Sequence, residues 1–596
     1  EQAARTPDRI ALMCGDRQIS YRELDASANR VSSQLRKLGA GPGMTVGIYA
    51  ERSLESVTGV LSVLKAGCAC LPLDPDYPAE RLAFMIEEVD PPVLLTQTHL
   101  AKRLPARRSR ILCLDEPGLE HTDLVEGDSD VHVSAGAAAY VIYTSGSSGQ
   151  PKAVVIDHRH IVNRLAWMWN TYPFDSDDVG CQKCSLSFLD SIWEIFVALL
   201  KGVPTAIIMD HELKDLNMFV ARLAQHHVTR VIQIVPSLLR VLLHTFPDLE
   251  RRLPEVKLWL TSGEELSVDL YQRYRERLPQ STLCNVYGCS EATGTWYEPK
   301  AGENQGARFP IGRPIANIRT YVLDQHLQAV PVGVTGELYF GGVSVARGYL
   351  NRPRLSREKF FTHSFDGIDA QRLYKTGDLV RWRSDGHIEF IGRVDNQVKL
   401  RGSRIELGEI EAALCAHPAV SESIVTLFEE RPGDGRLIAY VAAAEAPLRP
   451  AELRASLKRK LPTHMLPPVI MVLESLPLNA NGKVNRNALP MPDPGRQDLY
   501  NSFVAPRTVV EKALAFIWSD LLKVDQIGID DDFFELGGHS IQAMQVVSRV
   551  RDTLGVELAL RSLFDVPTVI GLAEVVEAAR ESGTHRINPH TGPRFA

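Results

Sequence analysis

Residues 143–152 read Tyr143-Thr144-Ser145-Gly146-Ser147-Ser148-Gly149-Gln150-Pro151-Lys152, a loop rich in serine and glycine that follows an apolar run. The two glycines let the backbone pass close to a phosphate group, the hydroxyl side chains donate hydrogen bonds, and Lys152 supplies positive charge. The spacing differs from that of the G-x-x-x-x-G-K-[ST] phosphate loop. A flexible linker is the alternative, but the entering strand and the closing Pro151-Lys152 favour a phosphate-binding loop.

Short apolar runs alternate with longer helical patterns on both sides of this loop, from residue 9 to about residue 392. Residues 46–50, 139–143, 205–209 and 228–232 are typical of buried strands, and residues 54–66 and 81–89 of amphipathic helices. This alternation predicts parallel sheets covered by helices. The region is too long for one ordinary sheet, so we expect two or more subdomains in it.

Two smaller regions follow. Helical patterns at residues 409–415 and 450–460, with strand patterns at 421–428 and 437–442, predict an α+β unit. Residues 491–498 contain Pro and Gly and indicate a linker, and apolar spacings of three and four at 509–522 and 541–554 predict helices. We therefore expect an N-terminal core subdomain at 1–394, a mobile C-terminal subdomain at 395–491, a linker at 492–507, a helical domain at 508–579 and a disordered tail at 580–596.

Composition narrows the class of protein. The chain of 596 residues is 44% hydrophobic and 23% charged, which is ordinary for a globular protein, and its net charge of −7 gives no electrostatic case for nucleic acid or an anionic membrane. No apolar run approaches the roughly 20 residues of a membrane span. Nine cysteines do not make a disulfide scaffold, and we expect buried thiols and a cytoplasmic protein. The polar start without Met suggests a piece of a longer chain.

Two further motifs carry chemistry. In Tyr374-Lys375-Thr376-Gly377-Asp378-Leu379 an aspartate held in a tight glycine turn can accept both hydroxyls of a ribose, although Thr-Gly-Asp is also a common surface turn. In Asp532-Phe533-Phe534-Glu535-Leu536-Gly537-Gly538-His539-Ser540-Ile541 a flexible turn exposes the Ser540 hydroxyl at a predicted helix start, which suits an incoming phosphate. The alternative for Ser540 is a simple helix N-cap.

More motifs stand in order along the chain: Leu64-Lys65-Ala66-Gly67, Asn285-Val286-Tyr287-Gly288-Cys289-Ser290-Glu291, Gly336-Glu337-Leu338, the charged run 392–399, the run Arg401-Gly402-Ser403-Arg404-Ile405-Glu406-Leu407-Gly408-Glu409-Ile410-Glu411, and Asn481-Gly482-Lys483-Val484. Over about residues 10–490 they resemble the adenylate-forming family, specifically the adenylation domain of nonribosomal peptide synthetases. Residues 508–579 resemble the peptidyl carrier, or thiolation, domain. The resemblance implies an α/β multi-subdomain adenylate-forming fold, with sheets covered by helices and a small α+β subdomain, followed by an all-α four-helix carrier domain.

That resemblance implies two half-reactions. A carboxylate attacks the α-phosphate of ATP and gives an acyl-adenylate and pyrophosphate, and a thiol then takes the acyl group. The implied cofactors are Mg²⁺ and 4′-phosphopantetheine attached to Ser540, with ATP as co-substrate. The implied partners are an amino-acid substrate, a phosphopantetheinyl transferase, neighbouring synthetase domains such as a condensation domain, and a small MbtH-like helper protein.

The same resemblance implies roles for individual residues. Lys483 and Glu291 are the catalytic residues, with Glu291 also holding Mg²⁺, and Asp395 is the hinge of the mobile subdomain. The implied nucleotide-binding residues are Thr144, Ser145, Gly146, Ser147, Ser148, Gly149, Lys152, Gly263, Tyr287 on adenine, Ser290 on the α-phosphate, Asp378 on the ribose, and Arg393. Ser147-Ser148, Gln150, Ala153 and Cys289-Ser290 depart mildly from the family's usual residues, and because the hydroxyls persist we still expect activity.

One departure bears on the acid. The family usually meets the substrate's α-amine with an Asp in Phe-Asp-x-Ser-x-Trp, whereas this chain has Phe188-Leu189-Asp190-Ser191-Ile192-Trp193. The next residue of a helix faces about 100° away, so the substrate's ammonium should lie in a different place from that of an α-amino acid. Family members with an apolar residue followed by Asp here resemble those that activate β-amino acids such as β-alanine. We expect room beside Gly294 and hydrogen bonds from Gln233 and Thr295 to a polar substituent. The expected pocket is Leu189, Asp190, Trp193, Gln233, Leu260, Ser262, Val286, Gly294 and Thr295.

Other readings stay open at this point. One alternative is that Asp190 is only a carboxylate on a helix face and does not bind an amine. The substrate is then an amine-free hydroxy, keto or aryl acid, or an unusual α-amino acid. A stand-alone acyl-CoA ligase or luciferase-like enzyme shares the nucleotide motifs but does not need Ser540. An inactive scaffold module is the non-enzymatic alternative, against which Glu291, Asp378 and Lys483 argue.

Overall fold

The computed structural model describes residues 1–105, 108–116, 131–146, 149–300, 309–365, 368–429, 435–443, 448–479, 484–491, 503–522, 524–534, 536, 538, 540–558, 562–563 and 566–581. These residues group into two compact units. Unit 1 comprises Glu1–Asp210, Arg222–Ala413 and Leu457–His464, and unit 2 takes the described residues of His211–Ala221, Leu414–Ser456 and Met465–Ala596. The domain boundaries drawn from the sequence stay predictions.

The first sheet of unit 1 carries the serine/glycine loop. Its strands in the described residues lie in the order Gly348–Tyr349, Lys152–Asp157, Ala138–Thr144, Ala69–Leu73, Thr45–Tyr49, Val93–Thr96 and Arg110–Cys113. The last five are parallel, whereas Ala138–Thr144 and Lys152–Asp157 form an antiparallel hairpin. The loop is therefore the turn of a hairpin whose first strand is buried in a parallel sheet.

The second sheet of unit 1 carries the 285–291 motif. Its described strands run in the order Arg313–Pro314, Ala292–Tyr297, Thr282–Cys289, Leu258–Thr261, Arg230–Ile234, Gly180–Gln182, Thr205–Ile207, Ile10–Cys14 and Arg17–Ser20. The strands from Thr282–Cys289 to Ile10–Cys14 are parallel to one another. Ala292–Tyr297 turns back antiparallel to Thr282–Cys289, so Ser290 and Glu291 lie in the turn between them.

A third, antiparallel sheet of unit 1 carries the Thr-Gly-Asp motif. Ile318–Leu323, Gly336–Gly342, Ile368–Trp382 and Phe360–Phe365 are neighbours in that order, and Ile388–Arg393 also pairs with Ile368–Trp382. The register sets Asp378 opposite Arg393. A two-stranded ribbon, Gln397–Leu400 with Ser403–Glu406, follows in the chain.

Helices cover the sheets because their buried faces repeat at helical spacing. Leu54–Lys65 begins at a capping box between Ser53 and Ser56, where side chains satisfy the free N–H groups of the first turn. The α-helices assigned up to residue 460 are Gln2–Arg5, Tyr21–Lys37, Leu54–Lys65, Ala79–Val89, His158–Thr171, Asp190–Leu199, Asp210–Lys214, Leu216–Gln225, Pro236–Thr245, Leu249–Arg252, Val268–Arg277, Pro353–Lys359, Leu407–Cys415 and Pro450–Lys460. Short 3₁₀ turns lie at Ala101–Arg103, Thr463–Met465 and Arg486–Ala488.

Unit 2 contains a small mixed sheet and a helical part. Val420–Glu429 and Gly435–Ala443 are antiparallel, and Val469–Leu473 lies parallel to Gly435–Ala443. The helices Val509–Leu522, Ser540–Leu554 and Val569–Glu581 share one apolar cluster that includes Leu514, Trp518, Phe533 and Val546. The predicted fold class is confirmed: the chain has sheets covered by helices, a small α+β region and a helical domain near the C-terminus.

The strand and helix predictions are confirmed to within two or three residues at most ends. The helix predicted at 54–66 is Leu54–Lys65, and the strands predicted at 421–428 and 437–442 are Val420–Glu429 and Gly435–Ala443. The main difference is the strand predicted at 228–232, which is Arg230–Ile234. No helix in the described ranges is both long and apolar enough to cross a membrane.

Trp518→Ala tests the helical core. Trp518 is fully buried, with its ring 5.0 Å from that of Phe533, whereas Phe516 on the same helix is 74% exposed. Removing a buried Trp costs about 3–5 kcal/mol, so we expect faster hydrogen exchange throughout Val509–Leu522 and Ser540–Leu554. Phe516→Ala is the matched control and should shift stability by less than about 0.5 kcal/mol. Equal exchange in the two variants would contradict this core.

Candidate active site

The serine/glycine loop is fixed by hydrogen bonds within unit 1. Ser145 Oγ donates to the Arg404 carbonyl at 2.7 Å, and the Gly146 N–H donates to Glu409 Oε2 at 3.0 Å. Thr144 ends the entering strand, with its Oγ1 3.5 Å from the Lys152 carbonyl. Ser147 and Ser148 lie outside the described residues. The loop donors therefore meet groups of the segment 404–409.

Glycine is required at both described glycine positions of the loop. A Cβ on Gly146 would lie 1.9 Å from the Gln150 carbonyl oxygen. Gly149 has φ +81, a backbone conformation that disfavours other residues, and a Cβ there would lie 2.6 Å from that of Ala412. The close turn is thus a property of the sequence, and it directs the Gly146 N–H away from the loop, towards Glu409.

A buried carboxylate, Glu291, stands at the centre of the site. Its side chain is fully covered, and it pairs with Lys152 Nζ at 3.3 Å and with Arg404 Nη1 at 2.8 Å. The Tyr349 hydroxyl donates to Glu291 Oε1 at 2.9 Å, and Lys152 Nζ donates to the same hydroxyl at 3.2 Å. Both carboxylate oxygens are engaged by protein donors, so one anion and two cations share one buried space.

These contacts decide the protonation states. Burial opposes ionisation of Glu291, but the charges of Arg404 and Lys152 outweigh it and hold its pKa well below the usual range. Burial lowers the pKa of Lys152, although Glu291 acts in the opposite direction. At neutral pH the carboxylate is ionised, and it compensates the buried Lys152 and the largely covered Arg404.

Glu409 joins the loop to a second buried cation. Arg81 Nη1 donates to Glu409 Oε1 at 2.7 Å while Glu409 Oε2 accepts the Gly146 N–H, and both charged side chains are almost fully buried. A carboxylate on a loop N–H uses the donor geometry that suits a phosphate oxygen. In this arrangement a protein anion holds the loop.

The expected ribose contact lies between Tyr287 and Arg393. The Tyr287 hydroxyl and the Arg393 guanidinium both donate to the carboxylate of Asp378. Arg393 also binds Asp395, the expected hinge residue, through two hydrogen bonds of 2.6 and 2.7 Å. Gly377 has φ +80, and a Cβ there would lie 2.8 Å from Arg393 Nη2, so the turn before Asp378 also requires glycine.

The remaining expected nucleotide residues lie around this cluster. Lys399 Nζ lies 4.7 Å from the centre of the Tyr287 ring, which is the expected adenine platform. Gly263 has φ +85 and packs against the backbone of Gly402. Ser290 is half-buried in the turn before Glu291.

The acid pocket depends on Leu189 and Asp190. The Leu189 side chain is buried in the apolar core, whereas Asp190 is only partly covered and opens the helix Asp190–Leu199. Burial and nearby Glu194 raise the pKa of Asp190 to about 6, while Arg164 and Lys183 act in the opposite direction. The two residues therefore face different surroundings, as the one-position shift in the sequence predicts.

Glu194, one helical turn after Asp190, has its own partners. Its Oε1 pairs with Lys183 Nζ at 2.7 Å, and its Oε2 accepts the N–H groups of Lys183 and Cys184 at 2.8 and 2.7 Å. Lys183 Nζ also donates to the Gln233 carbonyl at 3.0 Å. This ion pair is satisfied, and it lies beside the pocket.

The other expected pocket residues are buried, and several are engaged. Ser262 Oγ donates to Gln233 Oε1, and Gln233 has φ 63, a left-handed conformation that a non-glycine residue holds only at a cost of about 1–3 kcal/mol. Trp193, Leu260 and Val286 are almost fully covered.

The expectations that Gly294 leaves room for a substituent of the substrate, and that Thr295 binds a polar one, are wrong. A Cβ on Gly294 would lie 2.1 Å from ring carbons of Phe340, so the space beside this glycine is filled by the aromatic ring. The Thr295 hydroxyl donates to the Ile311 carbonyl at 2.5 Å, which uses its proton within the fold. Neither neighbour is visible in a local sequence pattern.

Two expected residues receive little or no description. Lys483 lies outside the described residues. Ser540 is the first residue of the helix Ser540–Leu554, the position expected for it, and its side chain is outside the description.

Some residues of the site were not assigned from the sequence. Arg404 and Glu409 lie in the run 401–411, which carried the family resemblance without individual roles. The order of charges in that run is the signal that could have found them. Tyr349 lies in no motif, and its contact with Glu291 appears only when distant elements come together.

Comparisons with known proteins agree with this geometry. The profile of the AMP-binding enzyme family matches residues 1–350, that of the AMP-binding enzyme C-terminal domain residues 409–483, and that of the phosphopantetheine attachment site residues 512–576. The fold and site define an adenylate-forming enzyme joined to a helical carrier domain. The chain belongs to the AMP-binding enzyme family.

Curated relatives are peptide synthases. Tyrocidine synthase 3 from Brevibacillus parabrevis is 42% identical over 595 residues, covering 99% of this chain and 9% of that protein. The dimodular nonribosomal peptide synthase from Bacillus subtilis (strain 168) is 39% identical over 594 residues, covering 98% of this chain and 24% of that protein. The chain thus spans between about a tenth and a quarter of the length of these relatives.

A solved structure is similar to this chain along almost its whole length. Holo-PA1221, an NRPS protein containing adenylation and PCP domains and bound to a vinylsulfonamide inhibitor, has a TM-score of 0.81 and 27% sequence identity. The match covers 97% of this chain and 95% of that chain. This chain is therefore similar along its length to an adenylation–carrier didomain.

The comparisons imply cofactors. A phosphopantetheine attachment domain implies the phosphopantetheine arm, and adenylate-forming enzymes use ATP and Mg²⁺. Among the described residues no group of three or more His, Cys, Asp or Glu could hold a metal ion. Both oxygens of Glu291 are engaged by Arg404, Lys152 and Tyr349, so this arrangement does not fit a Mg²⁺ ligand at Glu291.

Gly146→Ala tests the loop. The added methyl group would meet the Gln150 carbonyl and displace the loop by the order of 1 Å, which costs about 10²-fold in rate at a positioned site. We expect ATP–pyrophosphate exchange to fall by about that factor. Gly41→Ala, where a Cβ meets nothing within 4 Å, is the control and should keep wild-type exchange. Full activity in Gly146→Ala would exclude a phosphate role for this loop.

Proposed function

We propose that this chain is the adenylation–carrier part of a nonribosomal peptide synthetase. It activates an amino acid with ATP and loads the acyl group onto a phosphopantetheine arm on Ser540. The observation that carries the proposal is that one chain contains both AMP-binding enzyme regions followed by the phosphopantetheine attachment region, with Ser540 at the start of a helix inside the last. A stand-alone acyl-CoA ligase needs only the first two.

The charges of unit 1 suit the first half-reaction. Attack of a carboxylate on the α-phosphate concentrates negative charge, and pre-placed N–H donors and cations stabilise such a transition state. The loop supplies the Gly146 N–H and Lys152, and Asp378 supplies acceptors for the ribose hydroxyls. Lys483 is proposed to reach the reacting oxygens from the C-terminal region.

The contacts of the segment 403–409 support a role in the second half-reaction. Glu409 accepts the Gly146 N–H and Arg404 pairs with Glu291. The Gly146 N–H is the group proposed to meet phosphate during the first step, and Glu291 can meet Mg²⁺ only when Arg404 is not paired with it. The arrangement therefore suits the stage after pyrophosphate has left, when the thiol takes the acyl group, and movement about Asp395 is proposed to separate the two stages.

The proposed acid is a β-amino acid. The residue that usually meets the α-amine is replaced by Leu189, which is buried in the core, while the next residue, Asp190, is partly exposed and carries a carboxylate. An ammonium one carbon further from the reacting carboxylate suits this displaced anion. Because Phe340 fills the space beside Gly294 and Ile311 takes the Thr295 hydroxyl, a compact acid such as β-alanine fits better than a bulky or polar one.

ATP–pyrophosphate exchange against a panel of acids tests this function. The panel contains β-alanine, 3-aminobutyrate, β-phenylalanine, β-lysine, 2,3-diaminopropionate, the α-amino acids, and hydroxy and aryl acids. We expect the strongest exchange with a small β-amino acid. Preference for an α-amino acid or an amine-free acid would overturn the proposed substrate, and no exchange with any acid would favour a scaffold module.

Asp190→Asn tests amine recognition directly. A hydrogen bond to a charged group contributes about 1.5–3 kcal/mol, so we expect KM for the preferred amino acid to rise by about 10- to 100-fold at pH 7. Exchange with its amine-free analogue should not fall. Asp177→Asn removes a carboxylate that is 76% exposed and is the matched control. An unchanged KM in Asp190→Asn would leave Asp190 a structural carboxylate.

Ser540→Ala separates loading from activation. The variant should lose phosphopantetheine attachment completely, seen as a missing mass increment after incubation with coenzyme A and a phosphopantetheinyl transferase. Its ATP–pyrophosphate exchange should match wild type because no thiol takes part in that step. Ser548→Ala on the same helix is the control and should be modified normally. A modified Ser540→Ala would place the arm elsewhere.

The proposal includes partners. A phosphopantetheinyl transferase must act on Ser540, and neighbouring synthetase domains, such as a condensation domain, would take the loaded acyl group. A small MbtH-like helper protein is a further proposed partner of the adenylation region.

A further inference from the structure

A buried arginine, Arg164, lies behind the acid pocket and takes part in none of the contacts above. It belongs to the helix His158–Thr171 and is 1% exposed. Its guanidinium lies 4.9 Å from the centre of the Trp167 ring and 5.8 Å from that of the pocket residue Trp193. None of its three side-chain nitrogens has a hydrogen-bond partner in the described part of the chain. A buried cation without partners is costly unless an opposite charge lies near it.

The groups around Arg164 leave one candidate for that charge. Asp190, Cys284 and Tyr172 interact with it electrostatically. Burial raises the pKa of the Cys284 thiol to about 12 and that of the Tyr172 hydroxyl further still, so both are neutral at pH 7. Burial also lowers the pKa of neighbouring His160 to about 3, so this imidazole is neutral as well. Asp190 is the remaining group that carries an opposite charge.

The second carboxylate of the helix is already compensated. Glu194 pairs with Lys183 at 2.7 Å and accepts two backbone N–H groups. The buried charges therefore sort into a contact pair, Lys183 with Glu194, and a separated pair, Arg164 with Asp190. The residue Asp190 is partly exposed and Arg164 is covered, so of the two charged residues only Asp190 is open to contact with a substrate.

We propose that Arg164 is a positioning residue for acid recognition, whose buried guanidinium is the counter-charge that keeps the Asp190 carboxylate ionised for the substrate's ammonium group. This inference rests on the proposed recognition of an amine by Asp190. The separation is functional, because a contact pair with arginine would occupy the carboxylate oxygens that the ammonium needs. Trp193 and Trp167 hold the guanidinium by cation–π contact at this distance.

The sign of the pH effect follows from the charges that act on Asp190. Burial and Glu194 disfavour its ionised form, whereas the cations Arg164, Lys183 and Lys399 favour it, and the resulting pKa is about 6. Loss of Arg164 removes a positive charge that favours the ionised carboxylate, so the pKa of Asp190 rises. Amine recognition then needs a higher pH.

Arg164→Met is the first test, in the full chain. An adjacent opposite charge shifts a carboxyl pKa by about one to three units, and a rise of about two units lowers the ionised fraction at pH 7 about tenfold. We expect the acidic limb of kcat/KM for the preferred amino acid to move up by about that amount. At pH 7 the loss should be about tenfold, mainly in KM, with recovery at higher pH. The amine-free analogue should show no such shift.

Two variants distinguish charge from packing. Arg164→Lys keeps the charge and should keep the acidic limb of the profile near its wild-type position. Arg159→Met removes an arginine of the same helix that is 53% exposed and should leave the profile unchanged. Equal, pH-independent losses in Arg164→Met and Arg164→Lys, or an unshifted profile in Arg164→Met, would overturn the inference.

A stability measurement keeps the test decisive if Arg164→Met does not fold. Asp190→Asn leaves Arg164 buried without a counter-charge, so the double variant Asp190→Asn/Arg164→Met should unfold at a higher temperature than Asp190→Asn alone. A double variant that is less stable than Asp190→Asn would overturn the pairing. The acid preference of the wild-type protein is measured first. A preference for an amine-free acid would overturn the proposed substrate itself, before any Arg164 variant is tested.

Discussion

The site of this protein depends on the burial of one carboxylate, Glu291, between two cations. Lys152 begins a strand of one sheet, Glu291 follows a strand of another, and Arg404 belongs to a ribbon more than a hundred residues further on. An isolated buried charge costs several kcal/mol, and breaking a buried pair costs about 3–5 kcal/mol. Charge compensation therefore fixes three separate parts of the chain in one arrangement. The proposed nucleotide site is built around that requirement.

The acid pocket applies the same constraint in another form. Lys183 and Glu194 meet directly and satisfy each other, so their pair is structural. Arg164 and Asp190 have no such contact, and the carboxylate keeps lone pairs for a ligand. A carboxylate that is compensated by a cation at a distance is stabilised, and its oxygens remain open to a ligand. The distance between partners, and not the count of charges, separates a structural ion pair from a recognition site.

Periodic features of the fold could be predicted from the sequence, because repetition along a strand or helix records which face is buried. The helix Val509–Leu522, the strand Ala138–Thr144 and the parallel order of the sheets follow from such patterns. Site residues in motifs, such as Asp378 and Arg393, are brought together as the resemblance implies. The packing of Phe340 against Gly294, the hydrogen bond from Thr295 to Ile311, and the role of Arg404 could not be predicted. They depend on which distant element fills a space, and no local pattern records that choice.

On the proposed function, one hydrogen-bond donor of the serine/glycine loop orders the two chemical steps. The Gly146 N–H points in one direction and can donate to one acceptor there. In this structure that acceptor is one oxygen of the Glu409 carboxylate, while Arg81 pairs with the other oxygen. On the proposed function, a phosphate oxygen needs that same N–H during adenylation. The two anions exclude each other on steric and electrostatic grounds. The segment 403–409 can then take its place only when the phosphates have left, and ATP can enter only when the segment withdraws. On the proposed function, the alternation of half-reactions would therefore follow from competition between a carboxylate and a phosphate for one backbone N–H.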